Sequence, residues 1–353
     1  MKAHIVLLPG DGIGPEVVAS AVRVLNRVGE VFQHQWTLTT HLIGGAALHK
    51  GLPSLPADTL TTAKASDAVL LGAVGDPAFD NRPPLERPEA ALLGIRRELG
   101  LFANLRPARV WPGLEEAGPL KPAVLAGTDL VVVRELTGGL YYGQPRGIDP
   151  DGSAAVNTMR YTRHEIERVA RVAFKLAASR RGRLVSVDKV NVLDVSRLWR
   201  NVVTDVAREF PNVALTHELV DAAAMKLALA PSKFDVLVME NMFGDILSDE
   251  AGAVCGSLGL LPSASLGAGR GLFEPVHGSA PDIAGKDLAN PIGTVASAAM
   301  LLSDGLGLKE EGAAVTRAIE RVLLSGLRTA DIAPAGTAAV GTGAFTDAIV
   351  AAL

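Results

Sequence analysis

The sequence predicts an α/β protein of two domains with mostly parallel strands. Three observations carry this: the length of 353 residues, an apolar fraction of 48% against 20% charged, and the alternation of strand-like runs with amphipathic stretches. The first favours more than one core, and the second is enough to bury a sizeable interior. The third is the pattern of strands joined by helices. The apolar runs are HIVLL (4–8), DAVLLGAV (67–74), DLVVVRE (129–135), RLVSVDK (183–189) and FDVLVME (234–240). Helix patterns between them include PEVVASAVRVLNRV, HEIERVARVAFKLAASR and RLWRNVVTDVAREF.

The first turn is LPGDGIGPE, residues 8–16. Its spaced glycines resemble a dinucleotide-binding loop, yet the sixth position from Gly10 is Pro15, where that fingerprint needs glycine. No acid-terminated strand follows some twenty residues on. The glycines are better read as a tight strand-to-helix turn, with Pro15 and Glu16 opening the helix. The stretch 138–162 breaks the strand–helix rhythm, and its glycines and turn residues predict an extended hairpin or arm. Residues 330–344, rich in Ala, Gly and Thr, predict a loop.

Composition narrows the function. A formal net charge of -4 disfavours a nucleic-acid partner. One cysteine, Cys255, excludes an intrachain disulfide and suits a reducing, cytoplasmic setting. The short apolar N-terminal run is too brief for a signal peptide, and no segment reaches the length of a membrane span.

Several residues could carry chemistry. Asp245 and Asp249 in FGDILSDE are four apart, so on a helix they face the same way. They either hold a divalent cation, which prefers carboxylate oxygens, or are solvated acids near a helix N-terminus. Asp221 in LVDAAAMKL could complete such a site but cannot be picked out by spacing. In RPEAALLGIRRELGLFANLRP (87–107), Glu89, Leu92, Leu93 and Arg96 fall at helical spacing and share a mixed face. With Arg106 and Arg134 at element ends, Arg96 could bind a substrate's carboxylates, although each alone reads as a surface arginine. Lys189 ends an apolar run and could act as a base. Tyr141 lies in the arm, where packing is the ordinary explanation. The loop HGSAPDIAGKDLANP (277–291) either wraps a nucleotide or merely connects two elements.

Six stretches stand in order along nearly the whole chain: LPGDGIGPE, LFANLRP, VRELTGGLYYG, SVDKVNVL, NMFGDILSDEAG and EPVHGSAPDIAGK. Together they resemble the isocitrate/isopropylmalate dehydrogenase family of metal-dependent β-decarboxylating dehydrogenases. The resemblance implies a two-domain, non-Rossmann α/β fold with its active site in an inter-domain cleft. One domain would combine 1–100 with 257–353, and 101–256 would carry the arm, the dimer interface and the metal ligands. PEAALLGIR is similar to members that receive an isopropyl group, with Leu92 and Leu93 as its apolar patch, where isocitrate members present a serine. Desolvating that group contributes ~1.5–3 kcal/mol.

The resemblance thus implies NAD-dependent oxidation and decarboxylation of 3-isopropylmalate to 4-methyl-2-oxopentanoate and CO2, in leucine biosynthesis. Homoisocitrate, tartrate or D-malate is the rival substrate, and a non-catalytic regulatory subunit is the rival of another class. Arg96, Arg106 and Arg134 match the carboxylate-binding arginines. Asp221, Asp245 and Asp249 match the ligands of Mg2+ or Mn2+, with Asp221 also near the substrate. Lys189 matches the base and Tyr141 the acid. A homodimer with shared sites is implied, the second subunit supplying Lys189 and Asp221. For NAD the resemblance points to His277, Gly278, Ser279, Ala280, Pro281, Asp282, Ile283 and Asn290, with Ile13 at the adenine end and Glu89 near the nicotinamide ribose. Asp282 and Ile283 stand where NADP-using members carry lysine and tyrosine. Two departures are Phe79 in place of a common tryptophan, and Glu240 in place of a small residue before Asn241. Glu240 is expected to lie close enough to the metal to shift its affinity.

Overall fold

A computed structural model describes residues 1–353. The chain divides into two compact units: unit 1 comprises 1–101, 111–118 and 256–353, and unit 2 comprises 102–110 and 119–255.

Unit 1 opens with β1 (Lys2–Gly10), whose interior residues are nearly all buried, and α1 (Gly14–Phe32). Val17, Val18, Ala21, Val24, Leu25 and Val28 of α1 recur at helical spacing and form its buried stripe. Then come β2 (Gln35–Thr40), the short α2 (Gly45–Leu48), α3 (Ala57–Ala65), β3 (Ala68–Ala73) and α4 (Glu89–Glu98).

Unit 2 begins with β4 (Ala103–Arg109), the single-turn α5 (Pro122–Leu125) and β5 (Asp129–Glu135). A two-stranded antiparallel ribbon of β6 (Arg146–Ile148) and β7 (Ala155–Asn157) follows, exposed at every residue. The arm expected at 138–162 therefore has a hairpin at its centre. The unit continues through α6 (Arg163–Ala178), β8 (Arg183–Asp188), α7 (Asp194–Ala207), β9 (Ala214–Leu219), α8 (Val220–Leu229), β10 (Val236–Met239) and α9 (Asn241–Cys255). A capping box fixes the start of α6: Thr162 and Glu165 each accept from the other's backbone N–H.

The chain then returns to unit 1 with β11 (Pro262–Leu266), β12 (Gly271–Pro275), α10 (Ile292–Met300), α11 (Lys309–Leu324) and α12 (Thr342–Ala352). The segment expected as a loop at 330–344 is irregular until α12 begins at Thr342.

In unit 1 the strands run in the order β2-β1-β3-β12-β11, parallel except for the β12–β11 pair. Unit 2 has the order β4-β5-β10-β8-β9, again parallel except for β4–β5. The expectation of mostly parallel strands holds, with one antiparallel pair in each of these strand orders, beside the separate β6–β7 ribbon. Helices α1, α10, α11 and α12 pack together in unit 1; in unit 2, α6 packs on α7 and α8 on α9.

The glycine turn after β1 is as tight as its sequence suggests. Gly12 has φ +56°, and a Cβ there would lie 1.9 Å from the carbonyl oxygen of Ser279. The residue between the glycines has its own task. Asp11 is buried, and its carboxylate accepts backbone N–H groups from Gly45 (2.9 Å), Ala46 (2.7 Å) and Gly75 (2.8 Å). It thereby ties the loops after β1, β2 and β3 together at one end of the unit 1 sheet.

In unit 2 the corresponding buried acid is Asp235, before β10. It receives Arg180 Nε at 2.8 Å, the Arg181 backbone N–H at 3.0 Å and Arg181 Nε at 3.4 Å. Burial pushes its carboxyl up, but the Arg180 hydrogen bond, the Arg183 amide and the arginine charges outweigh that and hold it below the usual range. A depressed carboxyl stabilises the fold above the unfolded pKa of about 3.9, and the contribution disappears as pH falls through the folded value. Asp235→Asn is expected to cost about 1–3 kcal/mol at pH 7, because the buried carboxylate loses its charge while its partly exposed arginine partners can turn to solvent. Denaturant unfolding at pH 7 and at lower pH checks this; the gap from wild type is expected to narrow below about pH 4.

Candidate active site

The last residues of β5 project to both faces of the unit 2 sheet. Arg134 lies against α9: a Cβ on Gly244 would come within 2.6 Å of the Arg134 side chain, so only glycine lets helix and arginine approach this closely. Arg134 Nε and Nη2 donate to Asn241 Oδ1 at 3.0 and 2.8 Å, and Nη1 bonds Asp245 Oδ1. The next residue, Glu135, points the other way and is fully buried.

Arg106 reaches the same helix from β4. Its Nε donates to Asn104 Oδ1 (2.7 Å), Nη1 to Ser248 Oγ (2.8 Å) and Asp249 Oδ1 (3.2 Å), and Nη2 lies 3.5 Å from Asp245 Oδ1. Tyr141, in the turn after β5, donates to Asp245 Oδ2 at 2.9 Å, with the Arg134 guanidinium 5.7 Å from its ring centroid. Asp245 thus gathers both arginines and the tyrosine. Burial first, then the Asp245 hydrogen bond and charge, push the Tyr141 hydroxyl up to about 12. Packing is therefore not the whole explanation of Tyr141, which is held as a protonated donor beside a carboxylate.

Asp245 and Asp249 lie one turn apart on α9 and both face Arg106. Burial pushes the Asp249 carboxyl up despite that arginine. This pair offers hard oxygen donors on one face, as a divalent cation requires. Asp221, at the start of α8, is placed elsewhere: its Oδ1 accepts Lys189 Nζ at 2.8 Å, and that hydrogen bond holds its carboxyl below the usual range. No group of three or more His, Cys, Asp or Glu side chains in a single chain could enclose a metal. The three aspartates therefore form a pair and a separate member beside Lys189.

The remaining candidates lie in unit 1. On α4 the buried stripe is Ala91 and Ile95, with Leu92 partly buried against the same core, whereas Leu93 is 40% exposed. Glu89 is exposed and Arg96 is buried, so the four residues of the expected shared face stand in three environments. Arg96 Nη2 donates to Glu274 Oε1 of β12 at 2.5 Å, and its buried Nε has no partner. A Cβ at Gly75 would lie 3.3 Å from both Glu89 Oε1 and Ser279 Oγ, so these two side chains converge on the turn after β3.

The loop 277–290 packs on the glycine turn. Ser279 O accepts the Ile13 N–H at 2.8 Å, and Ala280, Ile283 and Ala284 pack on Ile13, Val17 and Ala289. Ile283 is thus partly a core residue. Gly278, Pro281 and Asp282 are exposed; Asn290 is buried, donates to Asp331 Oδ2 (3.0 Å) and accepts from Ile292 N–H (3.0 Å). His277 Nδ1 pairs with the Gly278 carbonyl at 2.9 Å, which makes Nδ1 the donor in a neutral ring. Burial pushes the imidazole down, and Nε2, buried and without a partner, is left as an acceptor. An orphaned acceptor beside an exposed glycine fits a nucleotide that brings its own donors.

Asp11, Asn241, Ser248 and Glu274 were not singled out by sequence as site residues. Asp11 had a signal, an acid set between two glycines in the turn after a strand; the others become recognisable only when their arginine partners are placed. Glu240 has a structural task that the sequence did not announce. Its oxygens accept the backbone N–H groups of Met242 (3.0 Å) and Phe243 (2.9 Å), capping α9.

Fold and site define a two-unit α/β protein in which arginines and a tyrosine gather on the carboxylates of α9 and a lysine pairs with an aspartate at the start of α8. Residues 4–349 match the model of the isocitrate/isopropylmalate dehydrogenase family. The chain is 58% identical to 3-isopropylmalate dehydrogenase of Bacillus subtilis, over 94% of this chain and 92% of that one. It is 54% identical to the enzyme of that name from Shouchella clausii, covering 100% and 98%. Among solved structures, isocitrate dehydrogenase from Methylococcus capsulatus superposes with a TM-score of 0.87 at 35% identity, covering 99% of both chains. The chain belongs to the isocitrate/isopropylmalate dehydrogenase family. No helix is long and apolar enough to cross a membrane.

Proposed function

We propose that this enzyme oxidises and decarboxylates 3-isopropylmalate with NAD and Mg2+ or Mn2+, as a step of leucine biosynthesis in the cytoplasm. The observation that carries the reading is the convergence of Arg106, Arg134 and Tyr141 on Asp245, one turn from Asp249. It is supported by relatives of that name at more than half identity.

Arg106 and Arg134 would hold the malate carboxylates by paired N–H donors, and Arg96, whose Nε has no partner, would also bind a carboxylate. Leu92 and Leu93 receive the isopropyl group. Asp245 and Asp249, with Asp221, would hold the cation. A bound divalent cation would supply Lewis acidity there, and NAD would supply the hydride acceptor. Lys189 accepts the hydroxyl proton as the C–H electron pair leaves. The β-carboxylate then departs as CO2, its bonding pair remaining on the adjacent carbon. Tyr141, a phenol at neutral pH, delivers the proton to that carbon.

His277, through Nε2, together with Gly278, Ser279, Ala280, Pro281, Asp282, Ile283, Asn290, Ile13 and Glu89, would contact NAD. Asp282 disfavours a 2′-phosphate by its charge. Because Lys189 and Asp221 stand apart from Asp245 in one chain, we read the enzyme as a homodimer that shares its sites. Exposed apolar side chains of α8 and α9 (Met225, Leu229 and Ile246), and of the ribbon (Ile148 and Val156), support that reading.

The test is a panel of 2-hydroxy acids with NAD and Mg2+ or Mn2+: 3-isopropylmalate, homoisocitrate, isocitrate, tartrate and D-malate. The highest kcat/KM is expected on 3-isopropylmalate, and a markedly higher value on another acid overturns the substrate assignment.

A further inference from the structure

Behind Arg134 and Asp245 lies a polar cluster that the proposed reaction leaves unused. At its centre is Tyr161, buried just before the capping residue of α6. Its hydroxyl accepts the Asn241 backbone N–H at 3.0 Å and donates to Glu240 Oε2 at 3.4 Å. Its ring lies flush against the backbone after β5. A Cβ on Gly138 would come within 2.4 Å of the ring, and one on Gly139 within 2.5 Å of the hydroxyl oxygen. Trp199 braces the ring edge-on at a centroid distance of 5.8 Å.

The contacts around Tyr161 lead into both halves of the candidate site. Gly138 and Gly139 run directly into Tyr141, and Glu135 fixes their start by accepting the N–H groups of Thr137 and Gly138, each at 2.8 Å. Glu240 and Asn241 form the N-terminus of α9, which bears Asp245 and Asp249. The Asn241 side chain joins the halves by accepting from Arg134 and donating to the Gly138 carbonyl at 3.2 Å. Burial pushes both the Tyr161 hydroxyl and the Glu240 carboxyl up, so the phenol keeps its proton through the neutral range.

We propose that Tyr161, clamped between Glu240 and the Gly138–Gly139 backbone, is a positioning residue that sets Tyr141 and Arg134 against Asp245. This rests on the reading of Tyr141, Arg134 and Asp245 as reaction machinery and deepens it. Removing the hydroxyl leaves the Asn241 N–H without its acceptor and frees the start of α9 from the Tyr141 segment.

The experiment compares wild type with Tyr161→Phe, Glu240→Gln, Glu240→Ala and the double variant Y161F/E240A. Each is assayed with NAD and Mn2+ on the hydroxy acid that wild type prefers in the panel, so an error in the substrate leaves this test intact. Tyr161→Phe is expected to lower kcat about 10-fold and raise KM for the hydroxy acid several-fold, the scale of one lost buried hydrogen bond. KM for NAD is expected to stay within about 2-fold, because its proposed contacts lie in unit 1. Glu240→Gln can keep a carbonyl for Tyr161 and Met242 but sets its amide nitrogen against the Phe243 N–H, so it is expected between wild type and Glu240→Ala. Glu240→Ala removes the acceptor of the Tyr161 hydroxyl and also the Met242 and Phe243 caps, so it is expected to lose at least as much as Tyr161→Phe; the double variant is expected to lose less than the sum of the two, since they share the Tyr161–Glu240 bond.

A role confined to stability would lower Tm while sparing kcat and KM. Wild-type kinetics in folded Tyr161→Phe, or equal losses for NAD and hydroxy acid, overturn the proposal. If Tyr161→Phe does not fold, Glu240→Ala against Glu240→Gln decides by the same criteria. If wild type turns over no acid in the panel, the proposed function and this inference fall together.

Discussion

Lys189→Ala is expected to lower turnover of 3-isopropylmalate by about 10²–10⁴-fold, the range for a lost general base. The structure limits what else the substitution disturbs. Lys189 follows β8, where Asp188 is buried and held by Arg200 at 2.8 and 3.0 Å, and the Lys189 backbone N–H donates to Ser196 Oγ at 3.0 Å. None of these contacts uses the lysine side chain, so the strand end is expected to survive. What is lost is the Nζ contact to Asp221, which is exposed and needs no buried partner. The loss is therefore expected mainly in kcat, with KM changed less, as when a group acts on the reacting atoms. Small primary amines added to the variant are expected to restore part of the rate. Wild-type turnover in Lys189→Ala would remove Lys189 from the mechanism.

How much was legible from sequence follows strand position. The runs read as strands became β1, β3, β5, β8 and β10, inner members of the two units' strand orders. Such strands are covered on both faces and carry unbroken apolar stretches. β2 and β9 lie at the ends of those orders and alternate exposed with half-buried residues, QWTLTT and ALTHEL, so no apolar run announces them. β4 hides for another reason: its sequence ANLRPAR carries Arg106, whose partners are on a helix about 140 residues away in the chain.

The same contrast holds in the site. Asp245 and Asp249 were readable as a pair because helical spacing alone makes them neighbours. The Tyr141–Asp245 and Arg96–Glu274 contacts join residues 104 and 178 positions apart, beyond any local periodicity. α4 shows the limit of spacing even within one helix. Glu89, Leu93 and Arg96 fall near one another by period, but tertiary packing exposes the first two and buries the third beside Glu274.

Asp245→Asn is expected to be at least as damaging as the lysine change. The carboxylate meets Arg134, Arg106 and Tyr141 at once, and the Arg134 side chain is only 5% exposed. Removing the charge lowers stability by leaving a buried guanidinium short of its partner, and it lowers turnover by taking away a proposed cation ligand and the acceptor of Tyr141, a loss expected to reach about 10²–10⁴-fold or more. The two damaged proteins also test how the site is assembled. If Lys189 and Asp221 of one subunit serve Asp245 and Asp249 of the other, a heterodimer of Lys189→Ala and Asp245→Asn chains has one site carrying both lesions and one carrying none. Random reassociation makes half the dimers mixed, so about a quarter of wild-type activity is expected to return under two-fold symmetry. If each site is instead built from a single chain, every site in the mixture carries one lesion and no activity returns. Differently tagged chains, co-purified to isolate the heterodimer, separate these outcomes. Recovery in that fraction, with none in either parent, would place the lysine and the aspartate pair on opposite sides of a subunit boundary. It would also explain why a single chain holds Asp221 apart from the other two carboxylates.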